Sequence, residues 1–529
     1  MLYQMFHWAA APVLLCAVLA WYALYPDTRW KFRKIPGPVG LPFIGNLVGL
    51  ATGMGLPDFA AKTAAQYGDV CKIWFGSRPW IVLSNPDTCR RVAMKFLYRG
   101  DMSSYLGVMP GVEGEMNQRG ILEAKGAPWR AARKPFEAEL INASSLHRHL
   151  PNMDACSRKF CARLDLVAAS GEAIDIHKEL AKLTLSVVGE SAYGVDFSTM
   201  GGSEQGQEFI EALKFEFRVA EVGKGSPYSI LQLIFPAFSP LIRMAAGAFP
   251  DAVLRKHQTA RRLIASVSKT LLAEWRAKQR APADSTTADD SKEEGGLRAN
   301  NFMASILRSN ADGSGAMADV DIIAQTWSFI LAGYETTANT LCMATYLLSV
   351  NPAAEARLMA EIDSLGDLTE LDADSLDKMP YTDAVVKESL RLLGPAGSLL
   401  RASPEDFDLD GKGTIIPKDT IMMLATYTFH HDPKYWPRVQ EFLPERFLPE
   451  GEATLGPSNP NAFLPFGIGS RSCPGYKFAN MEAKIALVRM YQRFTFCLSP
   501  ASQHPIKHRT GITLGPVNGL HVSVMHRKK

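Results

Sequence analysis

The chain of 529 residues lacks an excess of charge of either sign. Its 57 basic and 54 acidic residues leave a net charge of +3, which gives no support to a bulk nucleic-acid-binding function. It also lacks paired cysteine motifs, since the eight cysteines show no CxxC pair and no regular spacing. A zinc site or a disulfide framework is therefore a poor prediction, and a reducing compartment is favoured.

The N-terminal segment lacks lysine and arginine before a long apolar run. Residues 6–25 are almost wholly apolar, and about 20 such residues span a bilayer core. Basic residues follow the run, from Arg29 to Lys34, which by the positive-inside rule keeps the rest of the chain in the cytosol. A cleaved signal peptide needs basic residues before its apolar core. We therefore prefer an uncleaved membrane anchor over residues 1–28 to a signal peptide or a buried helix.

The remaining chain divides into a hinge and a large globular part. Residues 29–45 are basic and proline-rich, with three prolines within seven residues, which predicts a stiff extended hinge. Residues 46–529 form the globular part, where apolar residues recur at helical spacing and short β-prone runs occur before residue 84 and after residue 400. The predicted fold class is mainly α with a smaller β-rich portion, preceded by one N-terminal transmembrane helix.

One cysteine near the C-terminus lies in a frame of glycines, within the run Phe466–Gly475. A helix-forming run, 476–494, follows Cys473, and the positive end of its dipole favours a thiolate. The glycines let the backbone pass close to a flat porphyrin, and Arg471 is placed to reach a propionate. A thiolate is the axial ligand that pushes electron density onto a haem iron. The run predicts a haem-thiolate site, with a buried structural cysteine as the alternative.

A second motif lies inside the longest predicted helix, residues 319–350. It reads Ala332-Gly-Tyr-Glu-Thr-Thr337. A glycine inside a helix costs about 1 kcal/mol, and we interpret Gly333 as leaving room for O2. Thr336 supplies a hydroxyl that can disturb the local helical hydrogen bonds, and Glu335 supplies a carboxyl for proton transfer. A mid-helix threonine pair that faces neighbouring helices is the alternative.

A third element pairs an acid with a base on one helix face. Glu388 and Arg391 are three residues apart, a spacing at which side chains meet. The later run 444–447 contains Arg446, which we expect to complete a structural network with them. Taken singly, such a pair is common on surface helices.

These motifs, in this order, resemble those of the cytochrome P450 family. Phe466, Gly469, Arg471, Cys473 and Gly475 match its haem-binding signature FxxGxRxCxG. The helix motif, the acid–base pair and the PERF run match its other elements. The resemblance covers nearly the whole chain, and the C-terminal tail looks most like the microsomal branch that contains broad drug oxidases and thromboxane synthase.

The resemblance implies a P450 haem domain in the globular part, with haem b as cofactor and Cys473 as the metal ligand. The positions that match the family's haem-binding residues are Trp129, Arg133, Arg401, Phe466, Arg471, Cys473 and Gly475. The tryptophan and the three arginines among them are implied to hold the haem propionates. Arg130 is an alternative to Arg133.

The implied function is monooxygenation, in which one atom of O2 enters an apolar organic substrate and Thr336 and Glu335 deliver protons. No dinucleotide or flavin fingerprint follows a predicted strand. NADPH electrons are therefore expected through a separate NADPH–cytochrome P450 reductase, with cytochrome b5 as a second candidate partner. The implied location is the endoplasmic reticulum membrane, single-pass, with the catalytic domain cytosolic.

Two other functions compete with this interpretation. A haem-thiolate isomerase or dehydratase that rearranges a peroxide needs no proton relay, and the presence of Thr336 argues against it. A non-catalytic haem-binding protein needs no oxygen-activation motif. The identity of the substrate is not readable from the sequence.

Overall fold

The structure of the chain is a computed structural model that describes residues 12–20, 26–51, 55–99, 116, 118–197, 204–221, 223–280, 301–311, 317–366, 368–511 and 513–528. Helices predominate and the strands are short, which confirms the mainly α class with a smaller β portion. The helices are α1 (Pro26–Lys31), α2 (Leu47–Ala51), α3 (Leu56–Tyr67), α4 (Pro86–Lys95), α5 (Gly126–Leu140), α6 (Ala143–His147), α7 (Leu150–Ser170), α8 (Ile176–Tyr193), α9 (Glu204–Val219), α10 (Pro227–Ile234), α11 (Ser239–Ala248), α12 (Ala252–Arg280), α13 (Phe302–Ala311), α14 (Asp319–Ser349), α15 (Pro352–Ser364), α16 (Ala373–Asp377), α17 (Pro380–Leu393), α18 (Thr426–His430), α19 (Pro449–Leu455) and α20 (Tyr476–Arg493). The strands are β1 (Val70–Phe75), β2 (Arg78–Leu83), β3 (Ile174–Asp175), β4 (Leu399–Ala402), β5 (Phe407–Asp408), β6 (Ile415–Ile416), β7 (Ile421–Leu424), β8 (Phe494–Leu498), β9 (His508–Thr510), β10 (Leu514–Pro516) and β11 (His521–His526).

The chain divides into two compact units. The larger unit comprises Gly111–Glu221, Arg255–Gly397 and His430–Lys529. It contains the three-stranded sheet β3-β11-β8 and the hairpin β9–β10. The long helix α14 is central to this unit, and helices α8, α17 and α20 pack against it.

Helix α14 is 31 residues long, close to the predicted bounds. Asp319 and Asp321 lie in its first turn, where the helix dipole favours negative charge. Between Ile322 and Leu348 its side chains are buried all round, as expected of a core helix. Burial is interrupted only at residues 331–333 and at Thr336. The predicted oxygen motif is therefore the accessible part of an otherwise buried helix.

The smaller unit comprises Met1–Pro110, Val222–Leu254 and Ser398–Phe429. Its four-stranded sheet has the order β1-β2-β7-β4. The predicted hairpin of β1 and β2 is present, with Gly76 in the turn at a φ of 59° that favours glycine. Strand β7 runs parallel to β2 and antiparallel to β4. A core of apolar side chains packs on this sheet, including those of Ile73, Val82 and Met423.

The predicted anchor lies largely outside the described residues. Of it, residues 12–20 are helical, and Val13 and Leu14 there are each 69% exposed. No single helix among the described residues is long and apolar enough to cross a membrane. Helices Pro227–Ile234 and Pro236–Ala248 meet that criterion only as a pair bent by 116°. The transmembrane helix therefore stays a prediction.

Candidate active site

The cysteine loop is a tight backbone structure that leads into α20. Gly467 and Gly469 have φ values of 73° and 78°, which favour glycine. The backbone N–H of Cys473 donates to the carbonyl of Phe466 at 2.8 Å, and the side chain of Cys473 is half-buried. Helix α20 begins three residues later, so its N-terminal dipole end lies next to the thiol, as predicted.

Gly475 differs from the other two glycines of the loop. Its φ of −89° is open to any residue. A Cβ built on it would lie 3.9 Å from Cys473 Sγ and 3.8 Å from Leu140 Cδ1, which are ordinary van der Waals distances. The protein itself therefore does not require glycine here. A flat group bound against the thiol would account for the glycine, because it would occupy the space of a Cβ.

Three predicted propionate ligands converge on the cysteine loop. Arg471 is buried and donates to the carbonyls of Ile121 at 3.0 Å and Ala124 at 2.6 Å. Its guanidinium carbon lies 4.2 Å from the centroid of the Trp129 ring. Arg133 donates to the carbonyl of Ser472, the residue before the cysteine, at 2.7 Å. These contacts bring Trp129, Arg133 and Arg471 together, with backbone carbonyls as the partners of both arginines.

The two candidate arginines, Arg130 and Arg133, lie on different faces of helix α5. Trp129 and Arg133, four residues apart, are both buried, whereas Arg130 is exposed. Arg133 also donates to Glu137 Oε1 at 2.7 Å, one turn further along. The position of Arg133 on the buried face makes it the candidate that contacts the loop.

Two buried groups of the predicted set carry polar hydrogens without an acceptor among the described residues. One is Trp129 Nε1, and the other is the guanidinium of Arg401, at its Nε and Nη2 atoms. Arg401 lies in β4 of the smaller unit, is 1% exposed, and donates from Nη1 to the carbonyl of Leu400 at 2.8 Å. Burial, together with the smaller effect of the charge of Arg99, lowers the pKa of Arg401 to about 10. Buried donors of this kind normally have a partner.

The structure gives Gly333 a role in helix packing. A Cβ at this residue would lie 2.6 Å from Val188 Cγ2 on α8, so the glycine is needed for close packing of α8 against α14. Next to it, Thr184 Oγ1 donates to the carbonyl of Tyr334 at 2.8 Å across the same interface. Packing is therefore one reason for the glycine, and room for O2 stays a prediction. The accessible residue on this turn is Ala332.

Thr336 and Glu335 occupy different environments although they are neighbours. Thr336 is half-buried, and its Oγ1 donates to the carbonyl of Ala332 at 2.6 Å. Glu335 is buried, forms an ion pair with Arg509 and accepts a hydrogen bond from Thr513 Oγ1 at 2.6 Å. Burial raises the pKa of Glu335, and the charge of Arg509 partly offsets that rise.

Sequence reasoning missed Arg509 and Thr513. Both come from the hairpin region of β9 and β10, more than 170 residues beyond Glu335 in the chain. Arg509 also binds Glu221 at 2.8 Å, at the end of the segment that contains α9. No local pattern indicates such a partnership, because both residues belong to elements of ordinary composition.

The predicted acid–base network is present and completely buried. Arg391 binds both oxygens of Glu388, at 2.7 and 2.8 Å. Arg446 Nε donates to Glu388 Oε1 at 3.0 Å, and the N–H of Leu443 donates to the same oxygen at 3.1 Å. The guanidinium of Arg391 also donates to the carbonyl of His430 at 2.9 Å. The network therefore ties α17 to the segment that precedes the cysteine loop.

Comparison with known proteins agrees with this geometry. The family model that matches the chain is described as cytochrome P450 and covers residues 35–522. The chain belongs to the cytochrome P450 family. It is therefore an enzyme with haem-thiolate chemistry of the P450 monooxygenase type, and the family implies a haem cofactor.

Several characterised P450 proteins are similar to the chain over nearly their whole length. Cytochrome P450 3A6 of Oryctolagus cuniculus is 30% identical over 506 residues, which cover 94% of this chain and 93% of the relative. Cytochrome P450 3A9 of Rattus norvegicus is 27% identical, with coverage of 97% and 96%. Thromboxane-A synthase of Macaca fascicularis is 28% identical over 539 residues, with coverage of 98% and 97%. Both kinds of relative fall in the branch predicted from the C-terminal tail.

The residues described above fit a haem. Cys473 offers a thiol at a helix N-terminus, and Gly475 leaves the space beside that sulfur free of a side chain. Trp129 offers a buried donor that has no acceptor among the described residues, and a carboxylate such as a haem propionate is a strong acceptor for it.

Proposed function

We propose that this P450 inserts one atom of O2 into an apolar organic substrate, with electrons from NADPH delivered by a separate reductase. The observation that carries the proposal is the accessible turn of α14 at Ala332 and Thr336, within a helix that is otherwise buried. It presents a hydroxyl where a rearrangement of a peroxide would need none. When bound, the haem supplies the activation of O2, with electron density pushed from its thiolate ligand.

Cys473 is proposed as the iron ligand, supported by its place at the N-terminus of α20. Trp129, Arg133, Arg401 and Arg471 are proposed to hold the propionates. Support differs among them: Trp129 and Arg401 have donors without acceptors among the described residues, whereas Arg133 and Arg471 already donate to carbonyls. We therefore assign Trp129 and Arg401 to direct contact with the propionates. We assign Arg133 and Arg471 two roles, contact with the propionates and stabilisation of the cysteine loop.

Proton delivery is assigned to Thr336 and Glu335. The Thr336 hydroxyl is the group on the accessible turn, and it donates its proton to the carbonyl of Ala332. The Glu335 carboxyl is held by Arg509 and Thr513, and its raised pKa favours keeping a proton. For a proton to pass from Glu335 to Thr336, the carboxyl has to exchange these partners for the hydroxyl. Arg509 therefore sets how often the relay is complete.

The deciding experiment is Thr336→Ala with reductase and NADPH, once a substrate has been found. General acid delivery typically contributes about 10²–10⁴-fold. We expect NADPH consumption to continue while hydrogen peroxide replaces hydroxylated product. Thr345→Ala is the matched control, because Thr345 makes the same bond to the carbonyl four residues earlier, at 2.9 Å, further along the same helix. Full coupled product formation by Thr336→Ala would refute the assignment.

A second candidate function is a rearrangement of a peroxide without reductase. It is favoured by the similarity to proteins named thromboxane-A synthase, at 28% identity. Turnover of a peroxide substrate by the wild type, in the absence of reductase and with Thr336→Ala equally active, would establish this function instead.

Iron ligation has its own test. Cys473→Ser should abolish the red-shifted Soret band of the reduced carbonyl complex, whereas Cys497→Ser, at an exposed cysteine, should leave it unchanged. Persistence of the band in Cys473→Ser would remove the haem-thiolate assignment from this residue.

We propose the endoplasmic reticulum membrane as the location, with residues 1–28 as a single-pass anchor and the haem domain in the cytosol. NADPH–cytochrome P450 reductase and cytochrome b5 are the proposed protein partners. The support is the apolar run and the exposure of Leu15 and Leu19 in its helical part, at 59% and 57%. Deletion of residues 1–28 should release protein from microsomes at least partly and leave the haem spectrum intact. Loss of haem would mean that the segment belongs to the core.

A further inference from the structure

The smaller unit contains a cavity of about 480 Å³ that the proposed reaction does not use. Small-molecule sites commonly have volumes of roughly 300–1,000 Å³. Its wall includes Lys31 from α1, Arg78 from the start of β2 and Lys418 from the turn before β7. The three bases come from distant parts of the chain, so that only folding brings them to one cavity.

The charges around the cavity favour an anion. Asp419 is the one carboxylate among the lining residues of this cavity, against the three bases Lys31, Arg78 and Lys418. Hydroxyl groups of Thr28 and Tyr98 also line it. A phosphate group presents several oxygens and no donor when ionised, which matches a wall made of guanidinium, ammonium and hydroxyl donors. The ligand class indicated by this wall is a phosphate ester.

The elements that carry these bases are held in place by hydrogen bonds. Arg78 lies in β2, paired with Phe75 of β1. The backbone N–H of Lys418 donates to Asp406 Oδ1 at 2.8 Å, and the N–H of Asp419 donates to the carbonyl of Ser403 at 2.9 Å. The backbone of this part of the wall is therefore fixed before a ligand binds, so that ligand binding has to order only the side chains.

Lining residues of the cavity, among them Lys31, lie in the segment that follows the apolar start of the chain. Lys31 directly follows Trp30, which is 65% exposed. Upstream in the same segment, residues 12–20 are helical and present exposed apolar side chains. Basic residues at such a position attract anionic lipid headgroups.

We propose that this cavity binds the phosphate of an anionic phospholipid headgroup. The phosphate binding is independent of the proposed reaction, whereas the lipid as its source rests on the proposed membrane location. The site would hold a lipid at the point where the apolar segment meets the folded unit.

The test uses the full-length, haem-loaded protein in a non-ionic detergent and isothermal titration calorimetry. The probes are dihexanoyl phosphatidic acid, dihexanoyl phosphatidylcholine and glycerol 3-phosphate. We expect saturable binding of phosphatidic acid and at least about tenfold weaker binding of phosphatidylcholine, a difference of ~1.4 kcal/mol. If glycerol 3-phosphate binds as tightly as phosphatidic acid, the lipid source is overturned. Absence of saturable binding by all three probes overturns the site.

Substitutions of lining residues test whether phosphatidic acid binds in this cavity. Arg78→Gln and Lys418→Gln should each weaken binding of phosphatidic acid about tenfold. Lys412→Gln is the matched control, since Lys412 is exposed near the same turn but does not line the cavity. The Soret spectrum checks folding, and the exposed position of Lys418 keeps one variant informative if Arg78→Gln fails to fold. Equal weakening by Lys412→Gln would overturn the assignment of the cavity.

Discussion

Arg446 and Arg401 are both 1% exposed, yet their surroundings differ. Arg446 binds Glu388 and donates to the carbonyls of Leu455 at 2.7 Å and Arg438 at 2.6 Å. Arg401 donates only from Nη1, and two of its nitrogens have no acceptor among the described residues. Since burial of an unpaired charge is costly, the first arginine is explained by the protein alone. The second is the one for which we propose a propionate as the missing acceptor.

The largest expected effect comes from breaking the complete network. Glu388→Ala should leave two buried guanidiniums without their carboxylate, at a cost of roughly 3–5 kcal/mol. The expected result is little or no haem-loaded protein, measured by the haem absorbance per polypeptide. Glu441→Ala is the control, because Glu441 binds Arg438 at the same three-residue spacing but on the surface. Normal haem content in Glu388→Ala would show that the network is dispensable.

Removing Arg446 or Arg401 tests directly whether the two buried arginines differ in what they stabilise. Arg446→Leu strands Glu388 and should destabilise the haem-free protein by about 3–5 kcal/mol. Arg401→Leu strands no buried carboxylate, so it should leave the stability of the haem-free protein nearly unchanged and accelerate haem loss from the holoenzyme. Urea unfolding measures the first effect, and haem transfer to apomyoglobin measures the second. Equal destabilisation of the haem-free protein by both variants would contradict the distinction.

The buried carboxyl of Glu482 is a further group without a charged partner among the described residues, and it should make the stability of the protein depend on pH. Burial raises the pKa of Glu482 well above its ordinary value of 4.5, against a smaller opposite effect of Thr337. The folded state then keeps a proton that the unfolded state has lost, so the stability from this group is full below pH 4.5 and falls as the pH rises towards the folded pKa. Glu482→Gln should therefore gain thermal stability over the wild type as the pH rises from about 5 to about 8.

The control for this pH series is Glu172→Gln, at an exposed glutamate. Its thermal stability should follow that of the wild type at every pH. A constant difference between Glu482→Gln and the wild type would show that Glu482 does not titrate differently in the folded state.

The smallest effect concerns the two arginines of α5. Arg133→Gln removes the charged hydrogen bond to the carbonyl of Ser472, a contribution of about 1.5–3 kcal/mol, and should raise the rate of haem loss by about tenfold or more. Arg130→Gln, on the exposed face, should leave that rate unchanged. A larger effect of Arg130→Gln would reverse the assignment.

Local patterns in the sequence determined the parts of the site that are close in the chain. The glycine frame and the following helix define the position of Cys473, and helical spacing alone puts Glu388 beside Arg391. The long helix was predicted almost to its ends, because acidic residues begin it and Asn351-Pro352 follow it. Such features depend on backbone conformation and neighbouring side chains only.

Only the tertiary structure decided what each buried group touches. It assigned Gly333 to packing against Val188, and it gave Glu335 its partners Arg509 and Thr513. The basic cavity of the smaller unit likewise joins residues as far apart in the chain as Lys31 and Lys418. Pairings of this kind depend on how helices and strands from distant segments pack together, and the partners carry no shared local signal that a sequence pattern could reveal.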